Sequence, residues 1–417
     1  MILSKNLSLN STIKSNNNVM VVGSPGTGKT RNYVMTNLCD ENDSSIVLLD
    51  PKGELFSQTS RMMEDKGYKV LRLDFNEPSK STCKYNPLKY LHCSDDITYL
   101  SNVFVTSGKS LNTKADPFWD RSSIMMLTSL IAYLHKYCPE KQQTLSSVLK
   151  FLRAAGSNVS GSPTEYYSKL DLIFDEISER DPDSFALRQY CHFKLGASRT
   201  IQSILISLSS DLLTYTSPEM EELLSKDTVN IPSLGRKKTV LYVVSSDIDR
   251  SKDTLINIFF NQLFKELYHE ADNRDNHSLK IPVQVYLDDL GTNLKIDRLD
   301  SLLASCRSRG IGCSVILQSI GQLKREYGDA FDAITNSCQS FLYLGGLDYS
   351  TNDMFSKLIN IPVGRLLEMN RDECYVLVQG KLPICDSKYR LEKHPNYFMV
   401  DDGHIDTISY ATHELSA

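Results

Sequence analysis

Residues Gly23–Thr30 read GSPGTGKT and fit the spacing G-x-x-x-x-G-K-[ST]. Each residue type has a task in holding a polyphosphate. Gly23, Gly26 and Gly28, with Ser24, Pro25 and Thr27 between them, let the backbone wrap closely and turn its N–H groups toward phosphate oxygens. A helix starting near Lys29 would add the positive end of its dipole. Lys29 has the length to reach β- and γ-phosphates, and Thr30 has the hydroxyl to ligate Mg²⁺. The competing reading is a glycine-rich turn that holds nothing. The hydrophobic run before the loop and the helix-compatible segment after it favour the phosphate loop, with ATP and Mg²⁺ as the ligands it implies.

Such a loop needs an acidic strand to hold the metal shell, and Val283–Asp289 (VQVYLDD) is the best candidate. Asp288 would bind Mg²⁺ through water and Asp289 would polarise an attacking water. The alternative is an acidic pair that caps a strand end.

These groups need a frame. Short apolar runs rich in β-branched residues predict strands at Val19–Ser24, Ser45–Asp50, Lys69–Asp74, Thr239–Val244, Val283–Asp289, Cys313–Ser319, Phe341–Gly345 and Cys374–Val378. Most are apolar on both faces, as in a parallel sheet covered on both sides. Helical patterns at Lys29–Leu38, Leu55–Lys66, Asp253–Asp272 and Leu299–Arg309 alternate with them, an α/β signature. Between Asp74 and Thr239 the pattern is helical instead: Ser122–Tyr137, Leu145–Ala155, Tyr166–Arg180, Ser184–Lys194 and Ser198–Tyr215, with a loop at Gly156–Pro163. The expected organisation is an α/β nucleotide-binding domain from 1–91 and 226–417, with an all-α domain inserted at 92–225.

With 417 residues, 41% hydrophobic and 23% charged, the chain has ordinary globular composition. Forty-six Lys and Arg against 51 Asp and Glu give a net charge of −5, which excludes a uniformly basic nucleic-acid binder but not a local basic patch. The ten cysteines form no CxxC pair and read as reduced cytosolic thiols, mostly core fillers. No run of 18 apolar residues exists, and Ile124–Leu134 is too short to span a bilayer.

The ordered set of motifs resembles the VirD4/TraG family of type IV secretion coupling proteins, the ATPases of bacterial conjugation, and is most similar to the branch in mobile elements of Gram-positive bacteria. It comprises NNNVMVVGSPGTGKTRNYV, LLDPKGEL (Leu48–Leu55), GYKVLRLDF, YNPLKY, DPFWD (Asp116–Asp120), LDDLGTN, RSRGIGCSVILQSIGQLKREYG (Arg307–Gly328) and NSCQSFLYLGGLD (Asn336–Asp348), spanning about Asn18 to Gly380. The resemblance implies a RecA-like motor that works as a homo-hexamer at the cytoplasmic side of the cell membrane. It would use ATP to pass single-stranded DNA, with its attached relaxase and relaxosome proteins, to the ATPase and membrane components of a secretion channel. It implies that Gln318 is a γ-phosphate sensor, that Arg307 is an arginine finger reaching a neighbouring subunit, and that the helical domain recruits substrate proteins. In LLDPKGEL, Asp50 is expected to end a strand beside the phosphate loop, with Pro51 and Gly53 making a turn and Lys52 facing a phosphate or the next subunit, or serving the turn alone.

Two departures stand out. The family has Asp-Glu-Phe where this chain has Asp288-Asp289-Leu290, so the second carboxylate falls back by roughly 1.5 Å. Misplacement of that order can cost about a hundredfold in rate, so weak or partner-dependent turnover is expected. The family's N-terminal membrane anchor would lie just upstream of ILSKNLSLN, so the chain is expected to be either truncated after the anchor, which that segment favours, or a natural relative that docks on a membrane partner, and to be monomeric in dilute solution. Basic clusters at Arg236–Lys238, Arg307–Arg309 and Lys324–Arg325 are the weak candidates for DNA contact, and Trp119, Tyr166 and Tyr167 are expected to pack within the helical domain. The rival readings are a nucleotide-binding docking adaptor with little turnover and a related motor for double-stranded DNA.

Overall fold

Strands that are apolar on both faces are stable only between two covering layers, and five of them are buried along their whole length: β1 (Val19–Val22), β2 (Ser45–Asp50), β4 (Thr239–Val244), β5 (Val283–Leu287) and β6 (Ile311–Leu317). They join β3 (Lys69–Asp74), β7 (Ser340–Tyr343), β8 (Glu373–Val378) and β9 (Ile384–Ser387) in one nine-stranded sheet of order β3-β4-β2-β5-β6-β1-β7-β8-β9. The structure, a computed structural model, describes residues 1–9, 16–107, 116–157, 159, 166–246, 248–290 and 295–401. The motif LDDLGTN beyond Leu290, most of the loop 156–163 and the tail beyond 401 lie outside these residues.

The sheet is parallel from β3 to β7, and only the β7–β8 and β8–β9 pairings are antiparallel. The expected α/β fold with a mostly parallel sheet is therefore present. The edge strand β9 (ICDS) was not expected, because it is short, polar and half-exposed on alternate residues. Buried polar groups on the sheet find partners: Tyr33 Oη meets Ser314 Oγ at 2.8 Å, and Tyr242 Oη meets Thr59 Oγ1 at 2.7 Å. At the amino ends of the strands, the Asn18 side chain donates to Leu303 O and accepts from Cys313 N–H, both at 3.0 Å. Six of the ten cysteines are buried. Residues 1–9 form an arm on this layer, pinned where Ile2 N–H donates to Asn37 Oδ1 (2.7 Å) and Ser4 Oγ to Asp386 Oδ2 (2.6 Å).

The described residues separate into two compact units. One comprises Met1–Asn76, Asn230–Arg250 and the described residues from Leu263 on, and holds the whole sheet. The other comprises Glu77–Val229 and Ser251–Gln262 and is helical. The sequence reading set the division at 91 and 226. The first structural boundary falls earlier, after Asn76, because Tyr85 belongs with the helices: its buried ring lies 5.2 Å from Phe259, and its hydroxyl donates to Gln262 Oε1 at 2.6 Å; the second falls slightly later, after Val229.

Within the helical unit the long helix Pro117–Tyr137 starts where DPFWD supplies a cap. Asp116 Oδ1 accepts from Phe118 N–H at 3.0 Å, and Pro117 takes the first helical position, where its missing N–H costs nothing. Ser94–Thr106, Leu145–Ala155, Lys169–Arg180, Phe185–Lys194 and Ser198–Leu212 belong to the same unit. Phe174 and Tyr190 stack at 4.0 Å, and the buried carboxylate of Asp171 collects Ser168 Oγ, Tyr190 Oη and Lys194 Nζ. Tyr166 is buried, as expected, whereas Trp119 stays 41% exposed beside Phe118.

Candidate functional site

Strand register fixes what surrounds Gly23–Thr30. Val22, the last residue of β1, pairs with Leu317 of β6 on one side and Tyr343 of β7 on the other. The chain leaves the sheet at its carboxyl edge, with Gly23 N–H donating to Leu317 O and Ser24 N–H to Gly345 O, both at 3.1 Å. The glycines are there for space and angle. A Cβ on Gly23 would lie 2.4 Å from Thr27 Oγ1, and Gly26 and Gly28 take φ of 76° and 93°. A helical stretch of π type, Lys29–Met35, begins at once and continues as the α-helix Thr36–Asp40. The N–H groups that open it face the loop, as an anion site requires.

The loop's charged and hydroxyl groups meet the acidic strand. β5 pairs with β6, which separates it from β1, and Asp288 follows β5 directly. Thr30 Oγ1 donates to Asp288 Oδ2 at 3.0 Å. Asp288 is only 5% exposed, and burial first, then the adjacent Asp289 carboxylate, push its pKa up to about 6; the Thr30 hydroxyl and Lys29 oppose the rise. Lys29 is also buried; its Nζ donates to Gly23 O at 3.0 Å and lies 3.7 Å from Asp289 Oδ1. Asp289 adopts φ of 52°, in the left-handed region that aspartate tolerates better than most residues. Its Oδ1 is buried without a hydrogen-bond partner. The site therefore holds an ammonium, a hydroxyl, one carboxylate at the edge of ionisation and a second carboxylate with an unused acceptor. That donor set suits a hydrated divalent cation bridging to a polyphosphate.

The other expected residues divide. Gln318 follows Leu317 and so lies level with Gly23 on the neighbouring strand, half-buried. Arg307 is exposed at the opposite, amino end of β6, one strand length of roughly 20 Å away. Arg309 is committed elsewhere: it forks onto Asp272 at 2.9 and 3.0 Å and lies 4.6 Å over the Tyr268 ring.

Asp50 is not beside the phosphate loop. β5 and β6 stand between β2 and β1, an order that no local sequence pattern encodes. Its buried carboxylate accepts Phe56 N–H at 3.0 Å and caps the helix Glu54–Asp65, with Gly53 turning at φ of 72°. Lys52 is exposed. The basic clusters are largely tied within the chain: Arg236 to Glu270, Lys238 Nζ to Asn42 O at 2.6 Å, and Lys324 over the Phe331 ring.

Three groups beside the loop were missed by sequence reasoning. The pair Gly345–Gly346 packs on Ser24 so closely that a Cβ on Gly346 would lie 2.2 Å from Ser24 Oγ. The double glycine directly after a strand was the available signal. Lys388, 6% exposed, donates from Nζ to Thr27 O at 3.0 Å. Residues 366–371 face the tip of the loop across a cavity. Neither of these last two carries a local motif.

The family model described as type IV secretory system conjugative DNA transfer matches residues 6–360. The chain is 24% identical over 361 residues to the conjugal transfer protein TraG of Rhizobium radiobacter, covering 84% of this chain and 53% of that protein. It is 21% identical over 295 residues to protein VirD4 of Rhizobium rhizogenes, covering 69% and 40%. The chain spans about half the length of the curated relatives it matches. Among solved structures it is similar to the bacterial conjugative coupling protein TrwBdeltaN70 in complex with sulphate, with TM-score 0.64, 17% identity and coverage of 89% of this chain and 85% of that one. Against plasmid coupling protein TrwB in complex with ADP and Mg²⁺ the TM-score is 0.62 at 16% identity, covering 90% and 86%. These likenesses establish the fold, a RecA-like phosphate-loop core with a helical domain set into it.

Proposed function

The chain belongs to the type IV secretory system conjugative DNA transfer family, and from that premise we propose that it is an ATP-driven coupling protein. In this reading it recruits relaxase-bound single-stranded DNA and delivers it to a type IV secretion channel at the cytoplasmic side of the cell membrane. The observation that carries the reading is the contact between Thr30 and Asp288, which joins the phosphate loop to the acidic strand at 3.0 Å. ATP and Mg²⁺ as ligands are supported by the donor set and by the related TrwB structure in complex with ADP and Mg²⁺.

The residues divide the work as follows. Backbone N–H groups of Gly23–Thr30 cradle the phosphates, and Lys29 exchanges its Gly23 carbonyl and Asp289 partners for the β- and γ-phosphates. Thr30 and, through water, Asp288 would hold Mg²⁺, which when bound neutralises charge on the phosphates. Asp289 accepts a hydrogen bond from the water that attacks the γ-phosphorus as the bond to the β–γ bridging oxygen breaks. Gln318 senses the γ-phosphate or orients that water. Arg307 acts on the next subunit's site, which its distance from its own loop permits. The active form is then a homo-hexamer and the dilute chain a monomer, with the helical unit receiving relaxosome proteins. Single-stranded DNA, the relaxosome, and the ATPase and membrane components of the secretion channel are its partners. Among the described residues no helix is long and apolar enough to cross a membrane.

Phosphate release measured with and without single-stranded DNA, over protein concentrations that span assembly, tests the reading. DNA-stimulated release that rises more steeply than protein concentration supports the motor. The second reading, a docking adaptor with negligible turnover, draws on the short carboxylate of Asp289, and nucleotide binding with no release under any condition would establish it.

A further inference from the structure

The helical run that begins at Lys29 ends at Asp40, and beside that end, at the amino edge of the sheet, lies a cavity of about 180 Å³. The run puts it on the order of 15 Å from the phosphate loop. Its floor is the start of β5 and β6. Gln284 and Tyr286, two residues apart, face the same side of β5, and Gly312 of β6 leaves them room: a Cβ there would lie 2.1 Å from Gln284 Oε1. Its mouth carries three carboxylates, Asp40, Glu41 and Asp43. All of these residues belong to the sheet-bearing unit.

The floor holds polar groups that the chain does not satisfy. Tyr286 is only 2% exposed, yet its hydroxyl makes no hydrogen bond among the described residues. Burial first, then Tyr33 and the Glu41 and Asp40 carboxylates, hold its pKa well above the usual phenol range, so it stays a neutral hydroxyl. Gln284, 5% exposed, donates from Nε2 to Ser314 Oγ at 3.2 Å, but its Oε1 accepts nothing among the described residues. Buried oxygens of this kind cost free energy until a donor reaches them. The mouth is equally short of cations. Asp43 has no hydrogen-bond or ion-pair partner among the described residues. Glu41 Oε1 accepts only the backbone N–H groups of residues 42–44, at 2.8–3.1 Å. Asp40 lies 3.8 Å from the Met1 ammonium, which already donates to Leu9 O. The nearby ammonium groups are spent on carbonyls: Lys66 on those of Leu38, Cys39 and Glu41, and Lys238 on that of Asn42.

This lining selects a class of ligand. Three carboxylates oppose an anion. Among the described residues no three His, Cys, Asp or Glu side chains are placed to share a metal ion, and the floor offers a hydroxyl and an amide oxygen instead. A volume below the roughly 300 Å³ at which ordinary small-molecule sites begin admits only the end of a narrow chain. An alkylammonium brings three N–H donors on a slim apolar stem. We propose that the cavity binds a linear polyamine, one ammonium donating to Tyr286 Oη and Gln284 Oε1 and the next lying among Asp40, Glu41 and Asp43. The site does not depend on the reading of Gly23–Thr30 as a phosphate loop.

Calorimetry on the full chain without nucleotide, at about 150 mM NaCl, tests this with spermidine as the probe. One spermidine per chain is expected, bound at least about tenfold tighter than N-acetyl-lysine amide, which carries a single ammonium. Tyr286→Phe removes only a hydroxyl without a protein partner, so it should melt where wild type does and bind spermidine at least about fivefold more weakly. The double variant Asp40→Asn, Asp43→Asn changes two exposed side chains and should weaken binding by a similar factor, whereas Asp183→Asn, exposed in the helical unit, should leave it unchanged. Lys29→Ala should bind spermidine as wild type does whatever it does to nucleotide, so failure of this site and failure of the phosphate site are told apart. Absence of saturable binding, equal affinity in Tyr286→Phe, or an equal loss in Asp183→Asn overturns the inference. Equal affinity for N-acetyl-lysine amide would mark a site for a single ammonium, such as a lysine of another protein, and displacement by equimolar Mg²⁺ would mark a metal site; either result overturns the polyamine assignment.

Discussion

Thr30 and Asp288 lie 258 positions apart in sequence and meet through one hydrogen bond of 3.0 Å, hydroxyl to carboxylate, at the carboxyl edge of the sheet. Because burial and Asp289 raise the Asp288 pKa to about 6, this contact is also where pH acts on the molecule.

A carboxylate must be ionised to help hold Mg²⁺, so Mg²⁺-dependent nucleotide affinity should fall as pH drops through about 6. In Asp288→Asn the affinity should be low throughout and nearly flat with pH. Titrations between pH 5 and 8 check this, and a wild-type profile without a step near 6 would contradict it.

The same shift has a stability consequence. The folded pKa lies above the unfolded value near 3.9, so the stabilising contribution is complete below about pH 4 and lost as pH rises through 6. Without nucleotide or Mg²⁺, Asp288→Asn should therefore be more stable than wild type at pH 7.5, by at most roughly 3 kcal/mol, and the gap should narrow to roughly 1 kcal/mol at pH 4.5. Thermal denaturation at the two pH values is the measurement.

Asp289 carries an unused buried acceptor atom at φ of 52°. Asp289→Glu should raise ATP turnover about tenfold or more by returning the carboxylate to longer reach, and Asp289→Asn should lower it by a similar factor. Steady-state phosphate release decides the matter. An Asn variant as fast as wild type removes Asp289 from the water-polarising role.

Gly346 offers a steric test. A Cβ there would stand 2.2 Å from Ser24 Oγ and 3.1 Å from Ser24 Cβ. Gly346→Ala should weaken nucleotide binding severalfold by shifting the loop, and Ser24→Gly in the same chain should restore most of it. Binding titrations of the single and double variants would show whether the two changes fail to add.

Arg307 and Arg309, two residues apart, should behave differently. Arg309→Ala loses the fork onto Asp272 and the stacking on Tyr268 and should cost about 1–2 kcal/mol in stability. Arg307→Ala should remove turnover. Mixing Arg307→Ala chains with Lys29→Ala chains should recover part of it, since each supplies what the other lacks. No recovery at any mixing ratio would exclude a finger acting between subunits.

How much of this was legible in the sequence follows from what local patterns can encode. β1, β2, β4, β5 and β6 were visible because burial on both faces makes them near-continuous apolar runs, and Gly23–Thr30 because phosphate geometry constrains consecutive residues. Strand β9 escaped because its burial alternates over four mostly polar residues, and the short helices Ile320–Tyr327, Phe331–Asn336 and Val363–Leu367 because each holds too few turns to show a period. Asp50 was assigned the wrong neighbour because strand order is a long-range property. Lys388 is an isolated lysine whose meaning lies entirely in the carbonyl of Thr27, 361 residues earlier.

The polarity of β6 has an outcome for assembly. The strand carries Gln318 at its carboxyl end, level with the phosphate loop, and Arg307 beyond its amino end. If one copy's Arg307 edge serves the next copy's loop edge, every pairing leaves one donor edge and one acceptor edge unsatisfied. The contact is then heterologous and propagates, and only a rotation that divides evenly into a full turn ends it in a closed ring rather than a filament. The direction in which a buried strand runs would thus decide that these subunits follow one another head to tail.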